Sequence, residues 1–253
     1  MLDVAPHLAA LLVLAAFLAG FVDAIAGGGG LITVPALLLT GAPPLTALAT
    51  NKLQGTFGAA TAALTYARAG RVDLRRQASA VFVALAFGAG GAALAHLVPV
   101  LWLSRAIPAL LVVVAIYFAL KPGLTDADRT ERLPAPVFMA LIVPPIALYD
   151  GLFGPGTGSF YMLGFVLLAG FGVTKATAHT KALNFASNLG SLVVFAFAGA
   201  IWVKTGLLMA VAQTLGANLG ARFALRRGAR LIKPLLVVTS SAMAARLLWQ
   251  LLG

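Results

Sequence analysis

The chain has 253 residues and a formal charge of +11, with 61% hydrophobic and only 10% charged residues. Ordinary soluble domains carry about a quarter charged residues, so this composition argues against a water-soluble fold. At about 20 residues per spanning helix the length leaves room for roughly eight to ten spans and for no extramembrane catalytic domain.

The chain starts Met1-Leu2-Asp3-Val4-Ala5-Pro6-His7, without the basic segment of a cleavable signal. The apolar run 8–26 passes signal length and is read as a retained first span. The first half continues with runs 31–40, 44–67, 78–97 and 102–120. The second half gives 136–153, 158–170, 176–200, 206–223 and 231–252. Residues 121–134 between them form the polar linker. The expected organisation is a first repeat, 1–120, a cytoplasmic linker, 121–134, and a second repeat, 135–253.

The halves echo each other beyond hydropathy. Asp23 precedes Gly27, Gly28, Gly29 and Gly30; Asp150 precedes Gly154-Pro155-Gly156-Thr157-Gly158. Thr50-Asn51-Lys52 corresponds to His179-Thr180-Lys181, and a glycine, Gly70 or Gly199, follows eighteen residues beyond each lysine. Such self-similarity indicates an internal duplication.

Charge sets the relative orientation. Four arginines lie in 68–76 and five basic residues in 222–233. The positive-inside rule places both loops in the cytoplasm, so an even number of crossings separates them. Counting every run gives six, which requires the short runs 31–40 and 158–170 to help cross the membrane. Each half then crosses five times, the repeats are inverted and both termini face outward. The expected fold is therefore an all-α, polytopic membrane protein of two inverted five-segment repeats. Short segments broken at glycine-rich turns point to a transporter site between the repeats.

Basic residues between apolar runs read as topology signals beside anionic lipid, so the bilayer is the expected partner and nucleic acid is not. Cysteine is absent, and His7, His96 and His179 lack ligand spacing. No metal or cofactor is implied. Gly-Pro-Gly-Thr-Gly is no Walker loop, because no Gly-Lys-Ser/Thr follows it.

Polar residues inside apolar runs are costly unless paired or hydrated, which singles out a short set. Lys52 and Lys181 either line a polar cavity or snorkel, or pair with their own repeat's aspartate. The glycine breaks, Gly28, Gly29 and Gly30 with Gly156 and Gly158, lead into helix starts whose amides can face an anion, or they serve close packing. Thr157 and Ser159 add hydroxyl donors. Asn51, Gln54, Thr180, Asn184 and Asn188 are candidates for shaping selectivity. Asp23 and Asp150 are either proton-coupling carboxylates or fixed structural partners, and His179 is the lone titrating alternative. Trp102, Trp202 and Trp249 fit interfacial belt positions.

These pieces resemble the sulfite exporter TauE/SafE family. The resemblance is carried by 20–35 with its glycine block and Pro35, by Ala49-Thr-Asn-Lys-Leu-Gln54, by 149–159 and by 177–184. It implies a bacterial or archaeal inner-membrane permease, linked through other members to sulfite, sulfoacetate and other organosulfonates. The second repeat departs from the usual glycine triplet through Pro155 and Thr157. The expected function is secondary transport of a small oxyanion, sulfonate or carboxylate by alternating access. An anion channel and a membrane-embedded enzyme are the alternatives. Substrate identity, transport direction, coupling ion and homo-oligomeric state stay open at this level.

Overall fold

In the computed structural model, residues 3–99 and 126–228 are described. The expected runs 102–120 and 231–252, with Trp102 and Trp249, lie outside the described residues. Every regular element among those residues is helical: α1 (Pro6–Ala26), α2 (Gly30–Leu39), α3 (Pro44–Arg68), α4 (Ala78–Leu97), α5 (Ala135–Leu141), α6 (Val143–Leu152), α7 (Thr157–Leu167), α8 (Val173–Phe197) and α9 (Val203–Arg227). Prolines occupy the first positions of α1, α3, α5 and α6, where the missing N–H has no intrahelical partner to lose.

Three stretches are long and apolar enough to cross a bilayer by composition: Pro6–Ala26, Ala78–Leu97 and Ala135–Leu152, the last being α5 and α6 together. Helices α3, α8 and α9 have 25 residues each, about 37 Å, which exceeds a ~30 Å hydrocarbon core. Their polar and basic residues dilute the apolar signal. The exterior is apolar, with Leu14 57%, Val211 64% and Phe82 71% exposed, while Lys52 and Lys181 are 1% and 0% exposed. That inversion of the usual soluble pattern suits a lipid surround.

The two ends of the helix assembly are fixed by contacts. At one end Asp3 accepts hydrogen bonds from the Thr205 N–H and hydroxyl at 3.0 and 2.9 Å, so the start of α1 lies beside the start of α9. Leu12, Leu37, Ala42, Ala47 and Met209 share one apolar cluster there, against which Trp202 packs. Helix α2 therefore turns back toward the end at which α1 began. At the other end the Arg132 and Leu133 amides donate to Leu168 O at 2.9 and 3.0 Å, and Phe138 stacks on Phe165 with centroids 4.7 Å apart. Helix α7 likewise returns to where α5 began. Two helical hairpins, α1–α2 and α5–α6–α7, thus enter from opposite ends.

This corrects the expectation that the short runs help to cross the membrane. Each begins in the interior at a glycine break and reaches the end from which its partner came. The basic loops nevertheless share an end, because an entering and returning pair of arms changes no side. Arg71 and Arg76 line one cavity with Lys175, and a Cβ at Gly228, just beyond α9, would lie 3.6 Å from the Thr174 hydroxyl.

The polar linker is clasped to that end. Asp126 accepts from the Thr174 N–H and hydroxyl, and Asp128 accepts from the Gly172 N–H at 2.7 Å and pairs with Lys175 at 2.9 Å. The Gly172 amide and the Lys175 ammonium hold the Asp128 carboxyl below the usual carboxylate range.

The helices pack reciprocally. Helix α1 lies on α9 and α6 on α4; α3 lies on α9 and α8 on α4; α3 and α8 pack on each other. Small residues permit this closeness, since a Cβ at Gly216 would stand 2.0 Å from Phe17 O and one at Gly91 would stand 2.1 Å from Leu148 O. A Cβ at neighbouring Gly90 would meet only the Leu148 side chain, at 3.8 Å. Gly91→Ala is accordingly expected to destabilise the protein by about 1–3 kcal/mol through forced separation of α4 and α6. Gly90→Ala should leave stability unchanged, and thermal melting of both variants in detergent checks the contrast.

Candidate functional site

The site forms where the two hairpin tips meet. The α1–α2 tip turns at Gly27 and Gly28 with φ of 81° and 91°, and the α6–α7 tip turns at Gly154 and Gly156 with φ of 89° and 85°. These left-handed conformations favour glycine. The tips also touch: a Cβ at Gly27 would lie 2.6 Å from Ser159 N, and the Ser159 hydroxyl donates to Ala26 O at 3.0 Å. Only backbone without side chains can approach so closely.

Helices α3 and α8 bring one lysine each to this junction, about a third of the way along their lengths. Lys52 Nζ lies 2.7 Å from Asp150 Oδ1, and Lys181 Nζ lies 2.9 Å from Asp23 Oδ2. Each lysine therefore pairs with the aspartate of the opposite half. Of the alternatives open at the sequence level, pairing with the aspartate of its own repeat is the one this geometry overturns. The physical reason is that the two tips dock on each other, as the Gly27 and Ser159 contact shows, which brings each aspartate within reach of the opposite half's lysine.

The carboxylates are held differently. Asp150, 2% exposed, also accepts from the Thr157 hydroxyl at 2.9 Å and from the Ser187 hydroxyl. Asp23, 15% exposed, accepts in addition only the Gly29 N–H at 3.1 Å among the described residues. Asn51 Oδ1 accepts from Thr33 and Gln54 at 2.7 and 3.3 Å, which fixes the start of α2 against α3. Asn188 donates to Asn184 O at 2.7 Å.

A polar cavity of about 30 Å³ lies between the tips. That volume holds about one or two waters. Asp23, Gly28, Gly29, Gly30 and Asn51 line it from the first half, and Asp150, Gly156, Thr157, Gly158, Asn184 and Asn188 from the second. Most of the sequence candidates are thus brought together. Lys52 and Lys181 stand behind the carboxylates, and Gln54, Ser159 and Thr180 are buried outside the lining. The Thr157 and Ser159 hydroxyls, read as ligand donors, are used within the fold.

His179 lies elsewhere. Its ring sits 5.5 and 4.9 Å from those of Phe165 and Phe171, in a 640 Å³ cavity at the basic end, lined also by Arg71, Arg76, Glu131 and Lys175.

Two lining residues escaped the sequence reading. Gln213 of α9 was legible as a lone polar residue in an apolar run. Gly55 of α3, whose added Cβ would sit 3.4 Å from Asn188 Oδ1, carried no such signal.

Residues 12–247 match the family described as sulfite exporter TauE/SafE. A probable membrane transporter protein of Sinorhizobium sp is 56% identical over 98% of this chain and 95% of its own length. One of Haemophilus influenzae is 43% identical, covering 98% of this chain and 97% of its own length. The probable membrane transporter protein YfcA of Escherichia coli K12 is 42% identical, covering 97% and 91%. No solved structure matches.

Crossed pairing makes a specific forecast. Removing one member of a buried pair strands the other charge, at about 3–5 kcal/mol. Lys52→Met should therefore lower the melting temperature, Asp150→Asn added to it should recover most of the loss, and Asp23→Asn added instead should lower it further. Recovery by Asp23→Asn rather than Asp150→Asn would contradict the crossed geometry.

Proposed function

Since this chain belongs to the sulfite exporter TauE/SafE family of membrane transporters, we propose that it carries a small anion by alternating access through the junction of its hairpin tips. The observation that carries this reading is the pair of crossed lysine–aspartate bridges beside a polar cavity, at the meeting of two breaks that enter from opposite ends. Discontinuous helices meeting in the interior are how carriers build sites for polar solutes in a bilayer.

The substrate class is a sulfite-like oxyanion, an organosulfonate or a small carboxylate. Its negative charge competes with Asp23 and Asp150 for Lys52 and Lys181, and its oxygens accept from Asn51, Asn184 and Asn188 amides. A cavity with room for about two waters is too small for such an anion, so binding separates the tips. Withdrawal of the α1–α2 tip opens the junction toward the Asp3 end, and withdrawal of the α6–α7 tip opens it toward the basic end.

In this reading the halves are inverted repeats and the basic end, with Arg71 and Arg227, faces the cytoplasm of a bacterial inner membrane. Cysteines placed at positions 71 and 227 are expected to react with an impermeant maleimide from the cytoplasmic side, and one at position 204 from outside. Reaction of positions 71 and 227 from different sides would overturn the topology.

Transport is tested in proteoliposomes with sulfite and sulfoacetate. A carrier saturates and supports counterflow, whereas a channel passes fast current that follows voltage. Lys52→Gln and Lys181→Gln, each combined with its crossed Asp→Asn partner to preserve folding, are expected to weaken anion binding at least tenfold, about 1.4 kcal/mol, in thermal-shift titrations. Unchanged affinity in the doubly neutral variants would remove the lysines from the binding site.

A further inference from the structure

Before any substrate arrives, the junction already holds two lysines and two aspartates in matched pairs. An anion entering alone leaves one uncompensated charge in a region screened from water, which the interior tolerates poorly. A positive charge must accompany it. Resting on the anion-transport reading above, we propose that Asp23 binds the coupling proton during transport, while Asp150, which the Thr157 and Ser187 hydroxyls also hold, stays ionised.

Two observations separate the two aspartates, and a third bears on the cavity they share. The first is donor count, since Asp150 is held by Lys52, Thr157 and Ser187, and Asp23 by Lys181 and one backbone amide. The second is access: Asp23 is 15% exposed and Asp150 2%. The third is the lining of the cavity that both carboxylates face. Gln213 Oε1 and Asn184 Oδ1, on residues each 4% exposed, are buried acceptors without a hydrogen-bond partner among the described residues. Orphaned acceptors in this lining call for a donor, which a carboxylate is not. Protonation adds an O–H donor at Asp23 to the same lining.

Among the described residues, Asp23 is bonded by Lys181 from α8 and the Gly29 amide from the start of α2, and it shares its cavity with Asn184 of α8 and Gln213 of α9. Tyr66 of α3 is engaged with Ala24 O at 2.9 Å and Ser159 of α7 with Ala26 O at 3.0 Å. The Lys52–Asp150 pair lies across the cavity. His179 does not line it.

The step balances simply. A hydronium ion gives its proton to the Asp23 carboxylate; one O–H bond of hydronium breaks, one forms on the carboxyl, water is left, and the ion pair with Lys181 weakens. The Lys181 ammonium keeps its own protons and turns to the anion. Anion and proton leave together, and the crossed pair closes again. One proton then accompanies each anion moved.

The test uses sulfoacetate, whose charge is constant near neutral pH, and sulfite in parallel, with reconstituted full-length protein. In wild-type vesicles an inwardly acid-to-alkaline pH gradient should drive accumulation without sodium. Calorimetry in two buffers of different ionisation heat should show proton uptake on anion binding. Asp23→Asn is expected to lower pH-driven accumulation at least tenfold and to flatten the pH profile of the remaining counterflow. Asp23→Glu, which keeps the titrating group should the amide variant fold poorly, is expected to restore pH dependence with a displaced midpoint. Accumulation driven by a sodium gradient at equal pH overturns the proposal, as does an unchanged pH profile in both variants. Absence of any anion flux in the wild-type protein overturns the transport reading and this inference with it; flux without proton coupling overturns the inference alone.

Discussion

Four charged side chains buried among helices can persist only as pairs, and here the pairs run between the halves rather than within them. Lys52 on α3 needs Asp150 on α6, and Lys181 on α8 needs Asp23 on α1. Neither half can satisfy its own charges, so neither hairpin tip can settle without the other half in place. The tip contacts, the interior position of the glycine breaks and the small cavity all follow from that requirement.

The same constraint bears on the proposed movement of the junction. A purely apolar contact between tips would offer a solute nothing to bind. A pair of buried bridges resists separation while charged, and under the proposed cycle only a proton and an anion arriving together exchange partners without stranding a charge. Differential interaction of that kind is what a ligand requires in order to shift a protein between two states. Glycines in the seams between α1 and α9 and between α4 and α6 bring those backbones into close contact.

The exterior follows a simpler rule. Large apolar side chains such as Leu14, Phe82 and Val211 face outward, and arginines collect at the end where α3 and α9 finish. Lipid accepts the former and the anionic membrane surface the latter.

Sequence by itself determined the environment, the helical class, the positions of the breaks and most of the residues that line the cavity. Each of these is local: hydropathy accumulates along a run, a glycine before an apolar segment marks a break, and an asparagine or aspartate in an apolar run has few inexpensive places to go. The positive-inside rule also led to the expectation that loops 68–76 and 222–233 share a side. Tertiary structure alone decided which lysine meets which aspartate, because pairing depends on how the halves dock and both candidate partners are chemically identical. It likewise decided that the short helices α2 and α7 turn back from the interior, since parity counts the sides on which a segment starts and ends and is blind to how deep it goes. Finally, it placed His179 beside Phe165 and Phe171, away from the junction, although only one residue separates it from Lys181. Residues two apart on a helix point in divergent directions, so proximity in sequence gave no warrant for proximity in space.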